Sequence, residues 1–142
     1  MYLNYQGGTF RGTAMTSQVR LAEIGQISVP VQDVERATAF YRGQLGMRYL
    51  FTAPPGLAFF ACGSVRLMLS RPEGPDQPQR SSVLYFRVSE IQQAYLTLVG
   101  RGVRFHDAPH LIAKMDTHDL WMAFFYDSED NMLALMEEAP HR

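Results

Sequence analysis

The sequence holds very little cysteine, no long apolar run and no excess of charge of either sign. Its single cysteine, Cys62, excludes an internal disulfide framework and a cysteine-rich zinc site. No hydrophobic stretch approaches the ~20 residues that span a bilayer. The formal net charge of −1 gives the chain no overall attraction to nucleic acid or to anionic lipid. We therefore expect neither nucleic acid nor a membrane among its partners.

What the chain does contain is the composition of a folded globular protein. Hydrophobic residues make up 46% of its 142 residues and charged residues 19%, which suits one ordinary domain. Residues 1–20 show no helical or alternating period and lack the apolar core of a secretory signal. We expect residues 1–21 to form a flexible N-terminal extension, with Met15 as an alternative start, and the protein to be cytoplasmic. Residues 139–142 are expected to fray and to leave His141 exposed to solvent.

An internal repeat divides the rest of the chain into two similar halves. Pairs of chemically similar residues share one offset of 57 residues: Val31/Val88, Asp33/Glu90, Val34/Ile91 and Ala37/Ala94. Such self-similarity is typical of a duplicated structural unit. It predicts a single domain over residues 22–138, made of modules 22–70 and 81–137 that are joined by the proline-containing linker 71–80.

Each module is predicted to run strand, helix and then further strands. Apolar residues alternate where each module begins, which is typical of a strand with one buried face. Helical spacing follows, with Asp33 and Ser89 placed where a short oxygen-bearing side chain caps a helix. Gly46 and Gly102 stand where left-handed backbone would end each helix. Alternating runs after each helix predict three more strands, and hence an α+β fold.

The opening and closing stretches of the domain resemble those of vicinal oxygen chelate proteins. The similarity lies in residues 27–46, which begin ISVPVQDVERATAFY, and in residues 125–137, FYDSEDNMLALME. That superfamily includes glyoxalase I, extradiol dioxygenases, fosfomycin-resistance enzymes and bleomycin-binding (bleomycin resistance) proteins. The resemblance implies two βαβββ modules that form a curved mixed sheet around a cleft. It also implies a homodimer, because members of the superfamily often complete their clefts through a partner subunit.

The resemblance further implies where a metal ion would bind. Enzymes of the superfamily hold a divalent ion with His, Gln or Glu side chains at four strand positions, which fall here on Gln26, Met68, Val83 and Ala134. Only the Gln26 amide offers the oxygen or nitrogen donor that such ions prefer. The Met68 thioether is a poor ligand, and the two hydrocarbon side chains offer nothing. We therefore expect no cofactor, and a divalent metal is the disfavoured alternative.

Strand alternation predicts which side chains face the cleft. The resulting surface is mostly apolar with a few polar groups, as small-molecule pockets commonly are. Arginine suits a carboxylate or an aromatic ring, and methionine adapts to varied flat ligands. The alternative is a cleft that its own side chains fill, and the apolar run 121–126 is more typical of a buried strand than of a binding surface. The candidate ligand contacts are Gln26, Arg66, Met68, Tyr85, Arg87 and Trp121.

Three histidines, His106, His110 and His118, fall near carboxylates late in the chain. His110 and His118 are expected to face each other across a hairpin. An unperturbed histidine titrates at about pH 6.5 and so suits a general base, which makes His110 and His118 the catalytic candidates. They are also the candidates for a displaced metal site. The alternative is that they are solvated loop residues.

Three functional hypotheses follow from these features. The first is a metal-free protein that binds a small, flat or amphipathic molecule in the cleft, in the manner of the bleomycin-binding members. The second is an enzyme of the superfamily (a lyase, dioxygenase or transferase) with a displaced metal or a histidine base. The third is a protein-interaction domain with an occluded cleft. The sequence leaves open whether any reaction is catalysed.

Overall fold

The fold consists of two sets of strands, each accompanied by one helix. A computed structural model describes residues 19–75 and 80–141 of the chain. The first set comprises β1 (Gln26–Pro30), α1 (Val34–Ala39) with a π-helical continuation (Phe40–Gln44), β2 (Arg48–Ala53), β3 (Leu57–Cys62) and β4 (Val65–Ser70). The second set comprises β5 (Leu84–Arg87), α2 (Ile91–Gly100), β6 (Arg104–Phe105), β7 (His110–Lys114), β8 (Asp119–Tyr126) and β9 (Met132–Ala139).

Parts of the predicted extension and linker lie outside the described residues. These parts are residues 1–18 and 76–79, together with residue 142. Residues 19–21, 71–75 and 80, which belong to the same predicted segments, carry no helix or strand.

The strands form two mixed sheets, which confirms the predicted α+β class. The first sheet has the order β1-β4-β3-β2, in which β1 runs parallel to β4 and the other neighbours are antiparallel. The second has the order β5-β9-β8-β6, with β5 parallel to β9. It gains one strand over the first because β6 and β7 both pair with β8, along different parts of its length.

One hydrophobic core lies on the helix-facing sides of both sheets. Val29, Leu67 and Phe60 bury their side chains there from the first sheet, and Phe125 and Leu133 from the second. Strand alternation explains this, because alternate residues of each strand point to the same side of the sheet. The opposite face of each sheet is therefore left for solvent or for a ligand.

A buried polar group links the second module to the first. The Asp127 carboxylate, which is 1% exposed, accepts hydrogen bonds from the Tyr41 hydroxyl at 2.7 Å and from the Asn131 side chain at 2.9 Å. The main-chain N–H groups of Glu129 and Asn131 donate to its other oxygen. Asn131 also donates to the Pro30 carbonyl at the end of β1. Burial, and then the charge of Asp127, raise the pKa of Tyr41, so that its hydroxyl stays a donor.

Glu129, in the β8–β9 turn, covers the start of α1. Its carboxylate accepts from the main-chain N–H groups of Gln32 and Asp33 and pairs with the Arg36 guanidinium at 2.6 Å. Burial alone would raise the pKa of Glu129, but the hydrogen bonds from Gln32, Arg36 and Asp33 outweigh it, and the pKa lies below its ordinary value.

The two helices begin differently. Asp33 caps α1 as predicted, because its side chain accepts from the main-chain N–H of Arg36 at 3.0 Å. The prediction that Ser89 caps α2 is wrong. That helix begins after Glu90, one residue later, and its Ile91 N–H donates to the side chain of Glu137 in β9 at 2.8 Å. An acceptor from a distant strand thus replaces the local one.

Both predicted helix-ending glycines are confirmed. Gly46 has φ +69° and Gly102 has φ +85°, in the left-handed region that glycine tolerates best.

The C-terminal strand runs further than expected. It continues to Ala139, which is buried, so the prediction that fraying starts at residue 139 is wrong. His141 is exposed, as predicted, but its Nδ1 lies 2.7 Å from a carboxylate oxygen of Asp119. The hydrogen bond to Asp119, and then the one to the Asp116 carbonyl, raise the pKa of His141. Among the described residues, no helix is both long and apolar enough to cross a membrane.

Candidate functional site

A cavity of about 670 Å³ lies on the open face of the first sheet. This volume falls in the range typical of small-molecule sites. Strands β1, β3 and β4 form its floor, and the ends of the linker form part of its rim. The described residues that line it include Gln26, Ser28, Phe59, Arg66, Met68, Ser70, Glu73 and two linker arginines, Arg71 and Arg80.

The register of the strands places the side chains of the cavity floor next to one another on one face of the sheet. Gln26 pairs with Arg66, and Ser28 with Met68, across the parallel β1–β4 ladder. Phe59 pairs with Met68 across the antiparallel β3–β4 ladder. Because their neighbours Val29, Leu67 and Phe60 face the core, these side chains point to the opposite side.

Arg66 is held in place by two neighbours. Its Nε–H donates to the side-chain oxygen of Gln26 at 2.9 Å, and its guanidinium carbon lies 5.1 Å from the centroid of the Phe59 ring. The Gln26 amide nitrogen in turn lies 3.7 Å from the Met68 sulfur. The arrangement presents a fixed cation beside an aromatic ring and a thioether, which suits a ligand that has both a polar and a flat apolar part.

The side chains at the four metal-ligand positions do not fit a divalent ion. The Gln26 oxygen already accepts from Arg66, whose positive charge would repel a cation at that point. Met68 offers a thioether, and Val83 and Ala134 offer only hydrocarbon. Within residues 19–75 and 80–141, no three His, Cys, Asp or Glu side chains are grouped to hold a metal ion.

Tyr85 and Arg87 lie on the second sheet rather than in this cavity. Their cross-strand partners in β9 are Ala134 and Met136, so they occupy the face of that sheet that points away from the core. The Tyr85 ring packs edge-on against Phe124. The structure therefore gathers Gln26, Arg66 and Met68 in one cavity and leaves the predicted contacts Tyr85 and Arg87 on a separate surface.

Trp121 lies on the other side of the second sheet. It pairs with Glu137, alternates with the buried residues Ala123 and Phe125, and packs against the core. The interpretation of the aromatic run as a buried strand accounts for this position. The structure thus places Trp121 apart from the other predicted ligand contacts.

The expectation that His110 and His118 face each other is wrong. His110 pairs with Met122 at the start of β7, whereas His118 sits in the turn beyond its end. Strand β7 therefore separates them, by roughly 13 Å along its length. His110 hydrogen-bonds to the Ala108 carbonyl at 3.0 Å. Neither histidine lines the cavity on the first sheet.

Some residues of the cavity were not predicted from the sequence. Phe59 was detectable, because the Gly63-Ser64 turn fixes the β3–β4 register that sets it beside Met68. Arg71 and Arg80 gave no such signal, since they belong to a segment without periodicity. A further cavity of about 420 Å³ was also not predicted; it lies along α2 at the edge of the core, and its lining includes Leu45, Met47, Phe86, Ala94 and Leu98.

Comparisons with solved structures give the same fold. A member of the glyoxalase/bleomycin resistance protein/dioxygenase superfamily from Sphaerobacter thermophilus is 22% identical, with a TM-score of 0.71, over 84% of this chain and 100% of that one. TnmS3, an antibiotic-binding protein from a Streptomyces species, is 24% identical, with a TM-score of 0.67, over 85% and 99%. Lactoylglutathione lyase from Agrobacterium tumefaciens is 19% identical, with a TM-score of 0.62, over 83% and 95%.

A search among curated proteins found no match to the sequence. A family model described as the Glyoxalase/Bleomycin resistance protein/Dioxygenase superfamily matches residues 23–135. This match covers most of the chain and both halves of the repeat. The chain therefore belongs to the glyoxalase/bleomycin resistance protein/dioxygenase superfamily.

Proposed function

We propose that the protein binds a small amphipathic molecule with a flat apolar part in the cavity on the first sheet, without a metal ion. The observation that carries this proposal is the cavity itself, which has an aromatic and thioether floor beside an anchored guanidinium. A flat ring can stack on Phe59 and against Met68, while a polar group on the ligand meets Arg66.

The donor set and the similar structures support binding rather than metal-dependent catalysis. TnmS3 is described as an antibiotic-binding protein, which is the class of function proposed here. Lactoylglutathione lyase represents the enzymatic alternative. Gln26 is the only residue of this chain with a suitable donor at the metal-ligand positions, so the residues present favour the first class.

We further propose that a second copy of the chain covers this cavity. The residues of β5–β9 do not line it, so within the described part of one chain the second sheet leaves it open. The second module has exposed apolar side chains in two places that a partner can cover. Leu111, Ile112 and Met115 lie along the edge strand β7 and just beyond it, and Tyr85 lies on the sheet face away from the core; each is 40–48% exposed. We also propose a cytoplasmic location, because the single cysteine, Cys62, excludes the internal disulfides that commonly stabilise small secreted domains.

Binding is tested by calorimetry and thermal unfolding against aromatic antibiotics and phenolic acids, with chelator present throughout. We expect at least one compound to stabilise the protein, by about 2.7 kcal/mol when it is present at 100 times its Kd. Met68→Ala should weaken binding, whereas Leu96→Ala, an exposed aliphatic residue on α2, should leave it unchanged. A panel without any binder, or binding that needs an added divalent ion, would overturn the proposal.

The dimer is tested by light scattering on the purified chain. We expect the mass of two chains for the unaltered protein and of one chain for Ile112→Glu, because a carboxylate there would be buried against the partner. Leu96→Glu serves as the control for an added charge on an exposed surface. A single-chain mass for the unaltered protein at micromolar concentration would exclude the proposed dimer.

A further inference from the structure

We propose that the cavity on the first sheet selects anions, and that its ligand is a flat apolar molecule that carries a carboxylate. This inference rests on the proposed function and specifies the chemical class of the ligand. It concerns the charge of the site, which neither the membership of the superfamily nor the cavity volume determines.

Positive side chains predominate among the described residues that line the cavity. Arg66, Arg71 and Arg80 contribute three positive charges, against one negative charge from Glu73. The apolar floor beside them keeps water away from one side of a bound ligand, and charges interact more strongly where water is excluded. The arginines therefore attract a bound anion and repel a cation of the same shape.

Arg66 is already oriented for this task in the free protein. The hydrogen bond to Gln26 fixes its Nε–H, and the Phe59 ring supports one face of its planar group. A guanidinium carries five N–H groups, and this hydrogen bond uses one of them. A planar donor held in this way matches the two oxygens of a carboxylate at little further cost in side-chain entropy.

Two hydroxyl groups lie on the same face, further along the strands. The Ser28 and Ser70 oxygens are 3.0 Å apart and share one hydrogen bond. Because each hydroxyl has one hydrogen, the pair retains one O–H for a further acceptor. Both residues line the cavity, so this donor acts in the same space as Arg66. Guanidinium and hydroxyl donors thus both favour a ligand group that accepts hydrogen bonds.

The proposal is tested with three probes of one shape: 2-naphthoate, neutral 2-naphthamide and cationic 2-naphthylmethylamine. Binding is followed by NMR titration of the full chain in the presence of chelator. We expect 2-naphthoate to bind at least tenfold more tightly than the amide, because a hydrogen bond to a charged acceptor is stronger than one to a neutral acceptor. The cation should bind most weakly. The Arg66 Nε–H resonance should shift on addition of 2-naphthoate.

Matched variants assign the preference to the cavity. Arg66→Gln should reduce the affinity for 2-naphthoate about tenfold and leave that for the amide little changed. Arg80→Gln, at the rim, should produce a smaller loss. Arg42→Gln is the control: it removes the same charge and a similar ring contact, 5.0 Å from the Tyr49 centroid, but lies outside the cavity. The affinity of Arg42→Gln for each probe should equal that of the unaltered protein.

The possible outcomes separate this inference from the proposed function. If the three probes bind equally well, or if Arg66→Gln retains the preference for 2-naphthoate, the anion-selective site is refuted while a binding cavity remains. If the amide or the cation binds best, the charge argument is likewise refuted. If no probe and no compound of the wider aromatic panel binds, the proposed function itself is overturned.

Discussion

Replacing Asp127 with alanine is expected to destabilise the fold by about 3–5 kcal/mol, because the substitution leaves buried donors without an acceptor. The carboxylate accepts from the Tyr41 hydroxyl, from the Asn131 side chain and from two main-chain N–H groups. The main-chain N–H of Asn131 is buried, whereas that of Glu129 is only partly buried and can reach water. The Tyr41 hydroxyl cannot, since its residue is 0% exposed.

The magnitude follows from these stranded groups. An unsatisfied buried donor costs about 1–3 kcal/mol, and Tyr41 and the Asn131 amide together account for most of the expected loss. Tyr41→Phe alone should cost about 1.5–3 kcal/mol, the value of one hydrogen bond to a charged acceptor. In the Asp127→Ala background the same change should be neutral or stabilising, because it removes the stranded hydroxyl.

Urea denaturation followed by circular dichroism at neutral pH measures all four members of this double-mutant cycle. Tyr49→Phe is the control: its hydroxyl bonds to Thr52 at an exposed position, so its loss should cost less than about 0.5 kcal/mol. Equal costs of Tyr41→Phe in both backgrounds would refute the reasoning, since they would show that the Tyr41 hydroxyl does not depend on Asp127.

Further predictions concern charge and backbone. The stability advantage of the unaltered protein over Glu129→Gln should be complete at neutral pH and should decline as the pH falls through the lowered pKa of Glu129, as measured by urea denaturation across acidic pH. For His141→Gln the sign reverses, because the pKa of His141 is raised in the folded protein. The stability advantage of the unaltered protein over this variant should be complete below about pH 6.5, the ordinary pKa of histidine, and should be lost as the pH rises through the raised pKa of His141. NMR titration of the His141 ring locates that pKa. Gly46→Ala should destabilise by about 1 kcal/mol, because its φ is positive, whereas Gly43→Ala meets open space in the helical turn and should be neutral or stabilising in the same thermal melt.

The sequence predicted the elements of the fold well, because the signals for them are local. The cap at Asp33 and the positive-φ glycines at positions 46 and 102 each depend on neighbours a few residues away. The prediction of a Ser89 cap was wrong because the competing acceptor, Glu137, lies in a strand and follows Ile91 by 46 residues. No local pattern reveals such a partner.

The candidate site was predictable only where strand register determines it. Alternation together with the repeat placed Gln26, Arg66 and Met68 on one face, and the structure brings them together. Which of the two faces of β8 carries Trp121 depends on the packing of the sheet against the core. Arg80 borders the cavity through the path of the linker, which no periodicity encodes.

The glutamate over the start of the first helix has a consequence for synthesis of the chain. Glu129 follows its partner Arg36 by 93 residues, so at about 5–20 residues per second a ribosome adds it some 5–20 seconds later. During that interval the nascent N-terminal half has no carboxylate at this position, and the Tyr41 hydroxyl has no Asp127 to accept its hydrogen bond. These contacts of the first half therefore form only after the last hairpin has been translated.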